Sequence, residues 1–333
     1  MQNKIKVIQY GIGPIGAKIT EFLLNKPSIE IVGAIDIDPQ KTGRDLSEFS
    51  GNKTKLGIPV KKNLEEIIKN IKPDIAVLTT SSSLEKITPS LMELISHGIN
   101  VVSTCEELTY PWLINPALAA EIDEAAKINK VSVLSTGVNP GFLMDFLPSA
   151  LTAVCRDIKK ITVERIQNAQ FRRIPFQKKI GAGLSMEQFQ EKLKEGTLRH
   201  VGLTESIHLI ASKLGWELEK TEDIIKPVVA KKNVKVKSIK IKKGNALGVK
   251  QIGRGIRNGE EVITLLFKAA IGEKNPRDRI IIEGTPKIDM KIKDGINGDV
   301  ATCAITVNAI PAVIKAAPGL RTMADIETVS YFE

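Results

Sequence analysis

The first 140 residues alternate short apolar runs with longer stretches in which apolar positions recur every three or four residues. The short runs are IKVIQY at 5–10, IEIVGAID at 29–36, DIAVLTT at 74–80, INVVST at 99–104 and VSVLST at 131–136. Each is brief and rich in β-branched residues, as a buried strand is. Helical periodicity fills about 14–26, 63–70, 84–97 and 115–129, and the last stretch opens at Asn115-Pro116, a capping residue followed by a proline suited to the first turn. Strand–helix alternation of this kind predicts a parallel sheet with helices on both faces, a doubly wound α/β domain.

From about 158 the pattern changes. KITVERI at 160–166 reads as a strand, helical stretches follow near 185–195 and 203–214, and β-rich segments cover roughly 233–293. Gly244-Asn245 and Asn258-Gly259 lie between β-branched runs and carry the two-residue chemistry of antiparallel hairpins. The expectation is an α+β domain built on a mainly antiparallel sheet. Within it KKNVKVKSIKIKK at 231–243 alternates Lys with Val or Ile, which puts the charges on one face of a strand, a solvated face or, alternatively, a nucleic-acid stripe. After 298, VATCAITVNAIPAVIKAA returns to a helical pattern, expected to rejoin the first domain. The division expected is therefore 1–140 with 298–333, and 141–297, with no internal repeat, low-complexity segment or long linker.

A length of 333 residues suits two domains. With 42% hydrophobic and 26% charged residues, the chain is an ordinary water-soluble globular one, which excludes collagen-like, disordered and disulfide-stapled classes. The excess of 48 Lys+Arg over 38 Asp+Glu gives a charge of +10, attractive to phosphate-bearing partners. An aromatic content of 4% leaves few stacking platforms for single-stranded nucleic acid, and no nucleic-acid partner is expected. Cys105, Cys155 and Cys303 are odd in number and unpaired by spacing, so neither a disulfide framework nor a metal site is expected, and a reducing, cytoplasmic setting fits. No run approaches eighteen apolar residues and the N-terminus lacks signal-peptide features, so no membrane partner is expected.

Gly11-Ile12-Gly13-Pro14-Ile15-Gly16 fits G-x-G-x-x-G, follows a predicted strand and opens a predicted helix. In this Rossmann-type context Gly11 permits the tight turn, Gly13 lets a pyrophosphate approach, Gly16 lets the helix lie on the strand, and the helix N-terminus offers N–H groups to the anion. Asp36 ends the second strand, where a carboxylate accepts hydrogen bonds from the adenosine ribose, so NAD is favoured; Lys41 and Arg44 just beyond leave NADP open. The remaining strand ends are polar: Thr79, Thr80, Ser81, Ser82 and Ser83, then Ser103 and Thr104, then Gly137-Val138-Asn139-Pro140-Gly141. In an open α/β sheet these ends line the ligand crevice, which makes Thr80, Ser81, Ser82, Ser103, Thr104 and Asn139 candidates for the cofactor. The serine run reads equally as loop and helix cap, and Asn139 equally as a structural hydrogen-bonder.

A dinucleotide fold followed by an antiparallel-sheet domain, with STCEEL and STGVNPGF at strand ends, RHVGLTES at 199–206 and VNAIPAVIKAAPGL at 307–320, resembles the 2,4-diaminopentanoate dehydrogenases and their amine dehydrogenase relatives over almost the whole chain. Dihydrodipicolinate reductase and meso-diaminopimelate dehydrogenase are more distant cousins. The resemblance implies NAD(P)-dependent oxidative deamination, in which hydride leaves C4 of 2,4-diaminopentanoate and water converts the iminium to 2-amino-4-oxopentanoate and ammonia. Such chemistry needs a carboxylate that deprotonates an ammonium, stabilises the iminium and activates water. The resemblance points to Glu106, with Glu107 second; otherwise the pair simply begins a loop before Tyr110-Pro111.

The amino-acid end of such a substrate needs a cation and backbone donors. Arg172, Arg173, Gln177, Lys178 and Lys179 lead into Gly181-Ala182-Gly183 before a helix, whose N-terminus again suits an anion. Arg173, Gln177 and Lys178 are the favoured three, against a merely solvated basic loop. His200 is either a substrate contact or a structural hydrogen-bonder, His97 caps a helix end and His208 lies on a helix. Dihydrodipicolinate reductases carry a His-His pair with a downstream Lys where this chain reads ERIQNAQFRRIPFQKKIGAG, which argues against cyclic-imine reduction. The competing readings are an imine reductase of the same fold and a non-catalytic nucleotide- or nucleic-acid-binding protein; an exposed antiparallel sheet suggests a homodimer.

Overall fold

The computed structural model describes residues 4–52, 54–69, 71–198, 200–236 and 239–333. Asn70, Arg199, Lys237 and Ser238, which fall in segments discussed above, lie outside the described residues. The chain divides into two compact units, Met1–Phe142 with Asn297–Glu333, and Leu143–Ile296.

The first unit opens with β1 (Ile5–Tyr10), α1 (Pro14–Leu24), β2 (Ile29–Ile35), β3 (Val60–Lys61), α2 (Glu65–Ile68), β4 (Ile75–Leu78), α3 (Leu84–Ser96), β5 (Asn100–Ser103), α4 (Pro116–Ile128) and β6 (Ser132–Ser135). The second holds α5 (Phe146–Leu151), β7 (Asp157–Asn168), α6 (Ile174–Lys179), α7 (Met186–Lys194), α8 (Leu203–Lys213), β8 (Lys220–Val229), β9 (Val234–Val236), β10 (Ile239–Ile241), β11 (Ala246–Arg257), β12 (Glu260–Ala270), β13 (Arg277–Thr285) and β14 (Ile288–Lys293). The chain then returns to the first unit as α9 (Gly298–Asn308), α10 (Ile310–Lys315) and β15 (Gly319–Arg321).

The first sheet has the order β15-β6-β5-β4-β1-β2-β3, and every neighbour is parallel. Helices cover such a sheet, so its inner strands are apolar at successive positions rather than at alternate ones, and all four residues of β4 are buried. Tyr10, Leu78 and Val101 pack with Leu91, Leu94 and Ile122 of α3 and α4 on one face. From β1 the chain winds to β2 and β3 on one side and then crosses to β4 on the other. The order therefore reverses between β1 and β4, and the carboxyl ends of these two strands flank the crevice where open α/β sheets bind ligands.

In the second unit a six-stranded sheet runs β14-β13-β7-β12-β11-β8 and is antiparallel except for the β7–β12 pair. Asn258 at φ 51° and Gly259 at φ 75° make the two-residue turn between β11 and β12, with Arg257 opposite Glu260. A side chain at Gly253 of β11 would meet Ile207 Cδ1 at 2.8 Å, so the missing Cβ is what lets α8 lie against the sheet. Across β7 and β13 the buried guanidinium of Arg165 donates to both carboxylate oxygens of Asp278 at 2.8 and 2.9 Å. The pair also holds Ile296 by both backbone groups, its N–H on Asp278 and its carbonyl on Arg165.

Three expectations need correction here. The β-rich part begins at Lys220, because β8 is half-exposed along its length and lacks the continuous apolar run that marks a buried strand. Gly244-Asn245 closes no hairpin: it links the two-stranded β9–β10 sheet to β11, which pairs elsewhere. The lysine run is not one strand, since Lys235 and Lys240 lie opposite each other in that small sheet, both exposed. Among the described residues no helix is long and apolar enough to cross a membrane.

Candidate active site

At the β1–α1 junction the three glycines differ in what they permit. Gly11 has φ +92°, a conformation that side chains resist. A Cβ on Gly16 would lie 2.0 Å from the Gly11 carbonyl oxygen, so only glycine allows α1 this close to the turn. Over Gly13, the N-cap of α1, nothing stands within 4 Å of where a Cβ would be, and this is the space a backbone-held phosphate needs. Pro14 follows at the first helical position, where its lacking N–H costs nothing. Beneath the turn the buried Gln9 amide donates to the Gly11 carbonyl at 2.9 Å and to Thr79 Oγ1 at 3.0 Å, and Thr79 donates to the same carbonyl at 2.7 Å. Thr79 belongs to the polar strand end noted in the sequence, but nothing there marks Gln9 or the support both give the turn.

Asp36 stands just past β2. Its Oδ2 accepts the Ile12 N–H at 2.7 Å and the Lys41 ammonium at 3.0 Å, while Oδ1 accepts the Asp38 N–H at 2.9 Å. Burial opposes ionisation, but the two N–H groups and the ammonium outweigh it and hold the carboxyl below its ordinary range. Arg44 pairs instead with Glu48.

At the ends of β4 and β5 the polar residues divide. Thr80 is exposed, and Ser81, Ser82 and Thr104 are half-buried. Ser103 is wholly buried, donates to the Leu78 carbonyl at 3.0 Å and accepts the Cys105 N–H at 3.1 Å, so its hydroxyl ties β5 to β4. Glu106 and Glu107 open a short 3-10 helix, Glu106–Thr109. Glu107 accepts the Leu84 N–H at 2.8 Å and so caps α3; Glu106 stands half-buried directly after Cys105. Burial pushes the Cys105 thiol up to about 12, which removes it as a nucleophile.

The turn after β6 is buried from Thr136 to Gly141 and held by the Thr302 hydroxyl of α9, which accepts the Val138 N–H at 3.2 Å. Gly141, at φ +121°, packs so closely that a Cβ would meet Gly137 N at 2.5 Å. Among the described residues, both amide atoms of Asn139 and the hydroxyl of Thr136 are buried without a hydrogen-bond partner. A site that receives a carboxamide has this character, since buried polar groups are otherwise matched.

In the second unit Gln177 is buried, and its Nε2 donates to the carbonyls of Ala169, Gln170 and Arg172. These donations fasten the loop from Ala169 to Arg172. Arg173 and Lys178 are exposed. The expected anion seat at the following helix is corrected too: Ser185 and Gln188 form a capping box at the start of α7, and Glu187 puts a negative charge there. His200 packs its ring on Phe267 with centroids 4.4 Å apart, and Nδ1 is shielded from solvent without a partner among the described residues. Burial, with the cations of Lys179, Arg165 and Arg172, pulls its pKa down to about 3, so the imidazole is neutral. His97 is the C-cap of α3, and His208 lies on α8 with Nε2 2.9 Å from Thr221 Oγ1. Among the described residues no cluster of His, Cys, Asp and Glu is arranged to hold a metal.

Residues 142–332 match the family model of the 2,4-diaminopentanoate dehydrogenase C-terminal domain. The chain belongs to the 2,4-diaminopentanoate dehydrogenase family. It is 33% identical to the 2,4-diaminopentanoate dehydrogenase of Acetoanaerobium sticklandii over 97% of this chain and 94% of that one. Residues 2–106 match a model described as a CoA binding domain. Among solved structures, the amine dehydrogenase of Mycobacterium smegmatis shares the fold with a TM-score of 0.87 at 24% identity, covering 99% of this chain and 98% of that one. A dipicolinate-bound dihydrodipicolinate reductase from Paenisporosarcina sp. TG-14 shares it more loosely, with a TM-score of 0.55 at 14% identity over 97% and 100% of the two chains. Within this 2,4-diaminopentanoate dehydrogenase family member, the glycine turn, Asp36, Glu106 and Asn139 all lie in the first unit, and Arg173, Gln177, Lys178 and His200 in the second.

Proposed function

We propose that this chain oxidatively deaminates 2,4-diaminopentanoate at C4 with NAD: diamine, NAD⁺ and water give 2-amino-4-oxopentanoate, ammonium, NADH and a proton. The observation that carries the reading is Glu106, a half-buried carboxylate just past β5 in the same sheet whose β1 end bears an open glycine turn, in a chain of this family. A nicotinamide held at this site would supply the acceptor for the hydride that leaves C4.

The chain's own residues do the rest. The backbone from Gly11 to Gly16 and the N-terminus of α1 hold the pyrophosphate, as the open space over Gly13 allows. Asp36, kept ionised, accepts the ribose hydroxyls and opposes a 2′-phosphate; because Lys41 is already committed to Asp36, NAD is preferred over NADP. Asn139, with Thr136 beside it in the turn, supplies donor and acceptor to the carboxamide. Glu106 takes the proton from the substrate ammonium, leaving the amine lone pair to drive hydride departure. Once that proton has passed to solvent, the regenerated carboxylate orients and deprotonates the water that adds to the C4 iminium, and the proton gained from water goes to the departing ammonia. Glu107, committed to α3, has the structural role.

The test is turnover of the purified chain with 2,4-diaminopentanoate. Equimolar NADH and ammonia are expected with NAD and a slower rate with NADP; no reduced nicotinamide with either cofactor overturns the reading.

A further inference from the structure

Gln9 has no exposed surface and stands in a strand whose residues Val7, Ile8 and Tyr10 are buried with it. Its Nε2 serves the Gly11 carbonyl and Thr79 Oγ1, and because a carbonyl only accepts, the nitrogen is the end that must face it. That leaves Oε1 buried and without a hydrogen-bond partner among the described residues. An unmatched buried oxygen costs about 1–3 kcal/mol, so an apolar side chain of this size would suit the fold better, and the amide points to a task other than stability.

The task is visible in one peptide group. The Gly11 carbonyl accepts from Gln9 at 2.9 Å and from Thr79 at 2.7 Å, while the N–H of the same peptide, that of Ile12, donates to Asp36 Oδ2 at 2.7 Å. Side chains from β1 and from just past β4 and β2 thus grip the peptide at both of its polar ends. Gly11, at φ +92° and without a Cβ, leaves this peptide free to turn unless something holds it. The position of the missing Gly16 Cβ lies 2.0 Å from the Gly11 oxygen, 2.6 Å from Thr79 Oγ1 and 3.0 Å from Gln9 Nε2, so α1 sits directly on the clamp.

We infer that Gln9 and Thr79 are positioning residues for the dinucleotide: they draw the Gly11 carbonyl inward and keep the turn in the conformation that accepts a pyrophosphate. The inference rests on the cofactor reading proposed above. The Gly11 oxygen stays out of the open space over Gly13, where an oxygen turned outward would repel a phosphate. A turn that occupies its accepting form only part of the time loses affinity by that fraction.

The experiment is fluorescence titration of the full-length chain with NADH, without substrate, alongside melting curves. Gln9→Met has nearly the same size, removes the unmatched oxygen and takes one donor from the carbonyl. It is expected to melt at or above the wild-type temperature and to bind NADH about tenfold more weakly, the worth of one good hydrogen bond. Thr79→Val should weaken NADH binding to a similar degree, and Thr79→Ser, which keeps the hydroxyl, should bind as the wild type does. In turnover, Gln9→Met should raise KM for NAD about tenfold with kcat within about threefold of wild type, a split that general loosening of the fold does not produce. Wild-type NADH affinity in Gln9→Met, a lowered melting temperature there, or Thr79→Ser as weak as Thr79→Val overturns the inference, as does a wild type that binds no NADH. Absence of 2,4-diaminopentanoate turnover in chains that bind NADH in this pattern overturns the proposed reaction and leaves the clamp standing.

Discussion

The carboxylate of Asp36 accepts the backbone N–H of Ile12 at 2.7 Å, so the residue that ends the second strand also holds the glycine turn that ends the first. Its folded pKa is lowered, and the stability it contributes is therefore present above the ordinary aspartate range and lost as pH falls through the depressed folded value. In Asp36→Asn that loss disappears, and melting curves taken from neutral pH downward should show a flatter acid limb. Asp36→Ala also releases Lys41 and removes a charge opposed to a 2′-phosphate. The ratio of kcat/KM for NADP to that for NAD should rise by roughly tenfold or more, like-charge contact being costly by several kcal/mol; an unchanged ratio counts against Asp36 as the discriminator.

Gly16 and Gly13 separate folding from binding. Alanine at Gly16 forces a methyl to within 2.0 Å of the Gly11 carbonyl and 2.6 Å of Thr79 Oγ1, so α1 must lift. The expected cost is about 1–3 kcal/mol or more, read as a lower melting temperature. Alanine at Gly13 meets no protein atom within 4 Å, and the fold should melt as before while NAD affinity falls at least about tenfold. Equal NAD affinity in Gly13→Ala removes the pyrophosphate from this turn.

How far such features can be read in sequence depends on where the partners come from. β1, β2, β4, β5 and β6 are legible because a strand covered on both faces must be apolar throughout. β3, with two residues, and β15, Gly319–Arg321, are defined by pairing at the sheet edges and have no run of their own. The conformation of Gly11 is legible because the reason for a glycine is local. The work of Ser103, Gln177 and Gln251 is not: the hydroxyl of Ser103 meets a carbonyl from β4, and Gln251 grips a backbone 51 residues away. A polar side chain at a strand end has the same letter whether it faces a crevice or closes a seam.

The Arg165–Asp278 pair tests how the second sheet is secured. Both groups are buried, Nη1 of Arg165 serves both Asp278 oxygens, and each residue is tied to the backbone of Ile296. Asp278→Ala leaves an uncompensated guanidinium inside the sheet and should cost about 3–5 kcal/mol, whereas replacing both by apolar residues of similar size should cost much less. A single variant as stable as the wild type rules out an ion pair buried in solution as it is here.

The two glutamates after Cys105 provide the sharpest division of labour. Glu107 accepts the first N–H of α3, so Glu107→Gln should keep most of the turnover and lose about 1 kcal/mol of stability, the ordinary worth of a helix cap. Glu106→Gln changes a half-buried side chain by one atom and should melt like the wild type. If Glu106 is the base, its amide cannot take the ammonium proton or deprotonate the attacking water, and kcat should fall by about 10²–10⁴ with NADH affinity retained. Stopped-flow separates the two steps: a Glu106→Gln chain that forms NADH in a fast first turnover and then stalls has lost only water activation, and one with no burst has lost the initial deprotonation as well. Full activity in Glu106→Gln together with inactive, well-folded Glu107→Gln transfers the role to the second glutamate, and the cap on α3 then becomes a contact that catalysis must break.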